Sequence, residues 1–337
     1  MSHMDRLLVT GGLGFIGSNF IHDRISRFPE LDIINLDSMS HGSNPSSLTD
    51  LDGNLRYRFE KCDVRNIDQI TKLIQLVDVI VHFAAETHVD RSIVNPTAFL
   101  ESNVIGTHNL LEASRKANVS RFIQISTDEV YGSATGNQSF DENSTLNPSS
   151  PYSASKAAAD LLAVSYHKTY GLPVSILRCT NNFGPFQSPE KFIPKSIIRA
   201  LLNKLVPVYG DGSQVRDWIY VKDFCEAISL VMERGSPGNI YNVSAGNEVA
   251  NLEVVKKILN FLRKSVGLIQ FVEDRPGHDI RYSLNSHFIR EHLGWAPHFT
   301  FEAALELTLN WYLVNRNWWE PLLNEKILSP TPWKEKW

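Results

Sequence analysis

The chain has 337 residues, 33 Lys+Arg against 37 Asp+Glu for a net charge of −4, and 42% hydrophobic residues. This ordinary globular composition excludes disordered and collagen-like chains, and the length suits about two domains around a large core. Without a Lys/Arg run there is no electrostatic footprint for nucleic acid or anionic lipid, so small molecules or other protein chains are the expected partners.

The opening Met-Ser-His-Met reads as a cloning remnant and is set aside. From there, short β-branched runs alternate with longer amphipathic stretches. Strands are predicted over residues 6–10, 32–36, 55–59, 77–84, 121–126 and 174–178, with helices over 15–28, 68–76, 97–117 and 152–170. Helical crossovers between strands give a parallel sheet covered on both faces, so residues 5–180 read as a Rossmann-type, doubly wound α/β domain. Past about residue 180 the rhythm changes. Gly/Pro-rich loops at 181–189, 209–213 and 273–279 separate helices at 222–233 and 252–266, the pattern of a smaller α/β substrate-binding lobe over 181–315. The tail, 316–337, carries Trp318, Trp319, Trp333 and Trp337 and is expected to pack on the body or on a neighbouring subunit.

No apolar run approaches the ~18 residues of a membrane span, and the start lacks a secretory pattern; a cytoplasmic protein is expected. Cys62, Cys179 and Cys225 lie far apart without a CxxC pair, which suits a reducing compartment. The histidines form neither HExxH nor a Cys/His cluster, so no metal is expected.

Between the first strand and the first helix runs Gly11-Gly12-Leu13-Gly14-Phe15-Ile16-Gly17. Its glycines allow a tight turn, close backbone approach to a pyrophosphate and packing of helix on strand, while the helix N-terminus faces the phosphates. Asp37 follows the second strand, 20 residues after Gly17, where a carboxylate binds a ribose 2′-hydroxyl and repels a 2′-phosphate. NAD is therefore expected over NADP. Asp63 and Val64 end the third strand; Asp63 can accept from an adenine amino group or cap the helix beginning near Ile67. Phe83, Ala84 and Ala85 close the fourth strand with residues small enough to admit a cofactor.

Tyr152 and Lys156 stand one helical turn apart on one face. A cation about 5 Å from a phenol, at an effective dielectric of ~20, lowers its pKa by roughly 2 units, whereas burial raises it. The positive nicotinamide of NAD⁺ is then a second contributor. Ser126-Thr127-Asp128-Glu129 follows the fifth strand, at the carboxyl edge where doubly wound sheets bind ligands. The alternative for such a run is a helix cap or a solvated turn.

Together with His82-Phe83-Ala84-Ala85-Glu86-Thr87-His88-Val89-Asp90-Arg91-Ser92, Asn181-Asn182-Phe183-Gly184-Pro185, Arg216-Asp217-Trp218 and Arg275-Pro276-Gly277-His278-Asp279, these motifs resemble the dTDP-glucose 4,6-dehydratases. These belong to the extended short-chain dehydrogenase/reductase family, and the resemblance runs from about Arg6 to Leu313. It implies NAD on Gly11, Gly14, Phe15, Ile16, Gly17, Asp37, Asp63, Val64, Phe83, Ala84, Ala85, Ser102, Tyr152, Lys156 and Asn182. It implies sugar contacts from Thr87, Thr127 and Asn181, and places Lys191, Phe192, Pro207, Tyr209, Arg216, Asn251, Arg275 and His278 around the nucleotide diphosphate. Two arginines can clamp a diphosphate bidentately, with Lys191 as a point charge. Leu13, Thr180 and Phe183 depart from the family's alanine, serine and tyrosine.

The implied chemistry is oxidation at C4 with Tyr152 taking the proton, elimination of water by Glu129 as base and Asp128 as acid, and reduction at C6. A 4-epimerase or a UDP-glucuronate decarboxylase would share Tyr152, Lys156 and NAD without needing the Asp128/Glu129 pair. A non-catalytic NAD-responsive binding protein would be free to lose Tyr152 or Lys156. The resemblance also implies a homodimer built by the helices at 97–117 and 152–170, whose Leu110, Leu111, Leu161, Leu162 and Val164 exceed one core-facing stripe.

Overall fold

The computed structural model describes residues 6–336; Met-Ser-His-Met, Asp5 and Trp337 lie outside the described residues. Twelve strands are described: β1 Arg6–Thr10, β2 Asp32–Asp37, β3 Tyr57–Lys61, β4 Val79–His82, β5 Arg121–Thr127, β6 Val174–Cys179, β7 Asn181–Phe183, β8 Val206–Tyr209, β9 Val215–Tyr220, β10 Ile240–Val243, β11 Glu248–Ala250 and β12 Ile269–Val272. Seven form one sheet in the order β10-β6-β5-β4-β1-β2-β3, with every pairing parallel. β4 and β6 are buried along their whole length, as strands covered on both faces require. This is a doubly wound, Rossmann-type α/β fold. The chain winds from β1 through β2 to β3, then restarts at β4 on the other side of β1, and that switch point opens the crevice where such sheets take ligands.

The six predicted strands are all present, but the seventh, β10, comes from beyond residue 180. The segment read as part of the second lobe thus returns to complete the first sheet, preceded by the helix Val221–Arg234, which packs on the helix Phe15–Arg27 and on β5. Asn242 hid β10 from the apolar pattern. It sits fully buried in a four-residue strand, where its amide donates to the Phe140 carbonyl and accepts from the Tyr131 hydroxyl, each at 3.0 Å. Beside this sheet lie β11-β9-β7 and the parallel pair β12-β8.

The stretch predicted as one helix over 97–117 is broken in two. Pro96–Phe99 and Gly106–Ala117 flank a π-helical turn, Leu100–Ile105. The widened turn lets the buried Asn103 accept from Glu86 N at 2.8 Å and donate to the Glu86 carbonyl at 3.0 Å and the Ser155 hydroxyl at 2.9 Å. Leu110 and Leu111, counted above toward a dimer face, are fully buried within this chain; the exposed apolar side chains here are Leu100, Ile105 and Leu161.

The tail packs on the body. Trp318 Nε1 donates to the Ser47 hydroxyl at 3.2 Å, Trp319 Nε1 to the Tyr312 carbonyl at 2.8 Å, and Trp333 is buried against Tyr209. Among the described residues no helix is long and apolar enough to cross a membrane, and no cluster of three His, Cys, Asp or Glu side chains is set to hold a metal ion. All three cysteines are buried and free.

Candidate active site

A cleft of about 380 Å³ opens over the carboxyl ends of β1, β2, β4 and β5. Its floor is the glycine turn. Gly11 has φ +70°, and a Cβ there would lie 2.6 Å from Ala84 N; one on Gly17 would lie 2.5 Å from the Gly11 carbonyl oxygen. No side chain caps the following helix, whose first residues, Phe15, Ile16 and Gly17, line the cleft. An uncapped N-terminus on a glycine cradle fits the diphosphate of a dinucleotide.

Asp37, almost completely buried, accepts from Leu13 N at 3.0 Å through Oδ2, and from Met39 N at 2.8 Å and the Ser43 hydroxyl at 2.7 Å through Oδ1. It holds the glycine turn against the loop that follows β2, and Oδ2 keeps acceptor capacity for a hydroxyl. Asp63 does not cap a helix; Asn66 does, accepting from Gln69 N at 3.2 Å. Asp63 instead takes a forked contact from Arg65, which holds its carboxyl below the usual range. Val64, Phe83, Ala84, Ala85, Ser102 and Asn182 also line the cleft.

The catalytic candidates meet at the inner end. Tyr152 and Lys156 come from the helix Pro151–Tyr170, which starts with Pro151 at N1 and a reciprocal Ser150/Ser153 capping box and ends at Gly171 in the left-handed region. Thr127 caps the short turn Asp128–Tyr131 by accepting from Glu129 N at 3.3 Å, so the turn reading of this run is correct as local structure. That turn nevertheless faces the cleft. Asp128 is 2% exposed, and among the described residues its Oδ2 has no hydrogen-bond partner while Oδ1 accepts from the Thr127 hydroxyl at 3.1 Å. Burial, then the charge of Glu129, pushes the Asp128 carboxyl well above the usual carboxylate range. Glu129 is also raised by burial, against the opposing charges of Arg275 and Arg216.

Of the two opposing effects expected at Tyr152, burial prevails. The Lys156 ammonium donates to the Ile125 carbonyl at 2.6 Å, and the Tyr152 phenol is raised, by burial first and the Glu129 charge second. The two elements that carry these candidates are tied behind the cleft, where Arg178 Nε donates to Asp160 at 2.8 Å and its Nη1 to the Tyr131 hydroxyl at 2.7 Å.

The chain matches known proteins over nearly its whole length. The family model described as GDP-mannose 4,6 dehydratase matches residues 8–308. The dTDP-glucose 4,6-dehydratase of Xanthomonas campestris pv. campestris is 44% identical, covering 94% of this chain and 95% of its own. The chain belongs to the dTDP-glucose 4,6-dehydratase family. The Streptomyces venezuelae dTDP-glucose 4,6-dehydratase, crystallised with NAD bound, superposes with a TM-score of 0.92 at 45% identity over 94% of this chain and 100% of that one. A Thermus thermophilus UDP-glucose 4-epimerase complexed with NAD has a TM-score of 0.85 at 30% identity over 92% and 99% of the two chains. The fold alone therefore does not separate dehydratase from epimerase, and the residues at the inner end must.

Relative to the dehydratase family pattern, Leu13 donates to Asp37 without disturbing the turn, while Phe183 is fully buried among Trp218, Tyr220 and Phe301, away from the cleft. Of the substrate candidates, Thr87, Thr127, Asn181 and Lys191 line the cleft, and Lys191 Nζ donates to the Thr87 carbonyl at 2.9 Å. Phe192, Pro207, Tyr209, Arg216, Asn251, Arg275 and His278 do not line it. Phe192 stacks on Trp218, Pro207 lies within β8, and Arg216 donates to the Val215 and Asp279 carbonyls at 2.7 and 2.9 Å. Arg216 and Arg275 still border the site, since both charges act on Glu129. Sequence reasoning missed Glu190, a nearly buried cleft residue whose carboxylate meets His41 Nε2 at 2.7 Å and Arg91 Nε at 3.3 Å. Its position beside Lys191 was the available signal.

Proposed function

We propose that this chain is an NAD-dependent dTDP-glucose 4,6-dehydratase. The observation that carries the reading is Asp128, a buried carboxyl with an unpartnered oxygen and an upward-shifted pKa, next to Glu129 and on the same cleft wall as Tyr152. A 4-epimerase moves a hydride at one carbon and has no leaving hydroxyl to protonate.

In this reading the glycine turn, Asp37 and the 83–85 segment hold NAD, which when bound accepts the C4 hydride and returns it to C6. Tyr152 takes the proton of the sugar 4-hydroxyl. The resulting ketone acidifies the C5 proton, which Glu129 removes. Asp128 delivers its proton to the departing 6-hydroxyl and water leaves; Glu129 then gives its proton back to C5 as C6 is reduced. Adjacent carboxyls, one buried and one half-buried, keep one proton between them, and the titration belongs to the pair. Incubating the enzyme with dTDP-glucose, UDP-glucose and GDP-mannose in parallel tests the assignment. A 4-keto-6-deoxy product from dTDP-glucose is expected, whereas a C4 epimer or carbon dioxide release would refute it.

We also infer a cytoplasmic homodimer joined through Leu100, Ile105 and Leu161, which are 53%, 51% and 60% exposed on adjacent helices. Leu161→Glu should then halve the solution mass; a monomeric wild type at micromolar concentration would refute the dimer.

A further inference from the structure

The C-terminal tail reaches the side of the molecule where three nucleotide candidates gather. The turn Pro332–Lys334 packs on the helix Val89–Val94, and the Trp333 indole meets the Tyr209 ring edge-on with centroids 4.7 Å apart. Tyr209 is edge-on to His278 in turn, at 6.1 Å. Its hydroxyl donates to Asp90 Oδ2 at 3.0 Å, and the other oxygen of Asp90 accepts from Arg275 Nη1 at 2.8 Å. One carboxylate, 2% exposed, therefore fixes both a phenol and a guanidinium. Burial opposes its ionisation, yet the Arg275 charge holds it below the usual range. Arg275 retains a buried Nε without a partner among the described residues, while its charge is felt at Glu129. The tail is also tied to the loop that carries Arg275, because Lys334 pairs with Glu273. At its near end, the Ser329 carbonyl accepts from the buried Lys195 at 3.3 Å.

A buried Asp–Arg pair with a spare guanidinium N–H is a preorganised anion clamp, and its worth depends on how rigidly the arginine is held. We propose that residues 329–336 form a wall of the nucleotide-diphosphate site, with Trp333 and Asp90 as positioning residues that hold Tyr209 and Arg275 ready for the diphosphate. The inference rests on the dehydratase reading and extends it to a segment outside the motifs.

The test compares Trp333→Ala, Trp333→Phe and Asp90→Asn with wild type in dTDP affinity by calorimetry, kcat and KM for dTDP-glucose, and cofactor content. Trp333→Ala should weaken dTDP binding and raise KM about tenfold with kcat within about twofold and cofactor content unchanged, and Trp333→Phe should restore most of the loss. Asp90→Asn, which leaves Arg275 without its counter-charge, should weaken dTDP by about tenfold or more. Unchanged dTDP affinity in Trp333→Ala, or equal losses of dTDP affinity, kcat and cofactor in the Ala and Phe variants, would overturn the proposal. If wild type binds UDP or GDP in place of dTDP, the substrate assignment fails and the same comparison is made with that diphosphate. If it binds none of the three, the proposed site itself fails.

Discussion

The Lys156 ammonium donates to the Ile125 carbonyl of β5 at 2.6 Å, while the Tyr152 phenol, one helical turn away, stays protonated under burial and the nearby Glu129. The cation expected from spacing alone is thus insufficient to make the phenol a base, and a bound positive nicotinamide has to supply the rest. In the cofactor-free protein Tyr152 should give no phenolate absorbance up to about pH 10, the ordinary tyrosine value. Adding NAD⁺ should bring its ionisation lower. The readout is the ultraviolet titration of wild type minus Tyr152→Phe, and a phenolate already present near neutral pH without cofactor would contradict it.

Glu129→Gln separates oxidation from elimination. Tyr152 and Lys156 remain, so the sugar is still oxidised, but the C5 proton has no strong acceptor. Losing one positioned general base costs about 10² to 10⁴ in rate. Reduced nicotinamide absorbance should accumulate with little 4-keto-6-deoxy product, and deuterium at C4 should reappear at C6 in wild type without washing into solvent. Product formation by Glu129→Gln at the wild-type rate would remove Glu129 from the role.

The shift at Asp128 fixes the sign of a pH effect. A carboxyl whose pKa is raised by burial and by Glu129 keeps its proton above the ordinary carboxylate value of about 4, and only that protonated form can serve the leaving hydroxyl. The elimination step should therefore slow as pH rises through the pair's apparent pKa. Asp128→Asn, neutral at every pH and unable to give up a proton, should be slower by about 10² to 10⁴ and should lose this limb of the profile. A profile of the same shape in wild type and Asp128→Asn would assign the limb elsewhere.

How far the sequence could be read depended on where each signal lay. The glycine turn, Asp37 and the Tyr152/Lys156 spacing are local patterns set by backbone geometry, and six strands announced themselves as β-branched runs. β10 did not, because Asn242 is paid for by Tyr131 and Phe140, partners remote in sequence. The π turn at Leu100–Ile105 was equally hidden, since it serves Asn103 and its bonds to Glu86 and Ser155. The burial that raises Tyr152 is likewise a tertiary fact, invisible to a four-residue spacing.

Asp37 should set cofactor choice. Its carboxylate is anchored by three donors, so it cannot swing away from an added 2′-phosphate, and each tenfold preference corresponds to about 1.4 kcal/mol. Fluorescence titration should show NAD bound well over tenfold more tightly than NADP, with the gap narrowing in Asp37→Asn. Equal affinities in wild type would remove Asp37 from this role.

Acid stability should be governed in part by His82. The hydrogen bonds around it admit one assignment of donors: Thr107 Oγ1 donates to the Asn103 carbonyl at 2.6 Å, so at 3.0 Å it accepts from His82 Nε2, leaving Nδ1 to accept from the Thr10 hydroxyl at 2.7 Å. Thr10 Oγ1 in turn accepts from Ala84 N at 3.3 Å, which links the chain to the cleft. A second ring proton would face the Thr10 hydroxyl and break this order. Burial, with the Lys156 charge adding to it, pushes the His82 pKa down to about 3. The unfolded chain, with an ordinary value of about 6.5, binds the proton first as pH falls. His82 therefore contributes stability that is complete above about pH 6.5 and is lost as pH falls toward the folded value, at up to about 1.4 kcal/mol per pH unit. Thermal melts of wild type and His82→Gln from pH 7 down to pH 4 should show the variant less stable at neutral pH but with a shallower decline. Buried carboxyls contribute to both proteins alike, so the difference in slope isolates the imidazole; parallel declines would mean that its protonation plays no part.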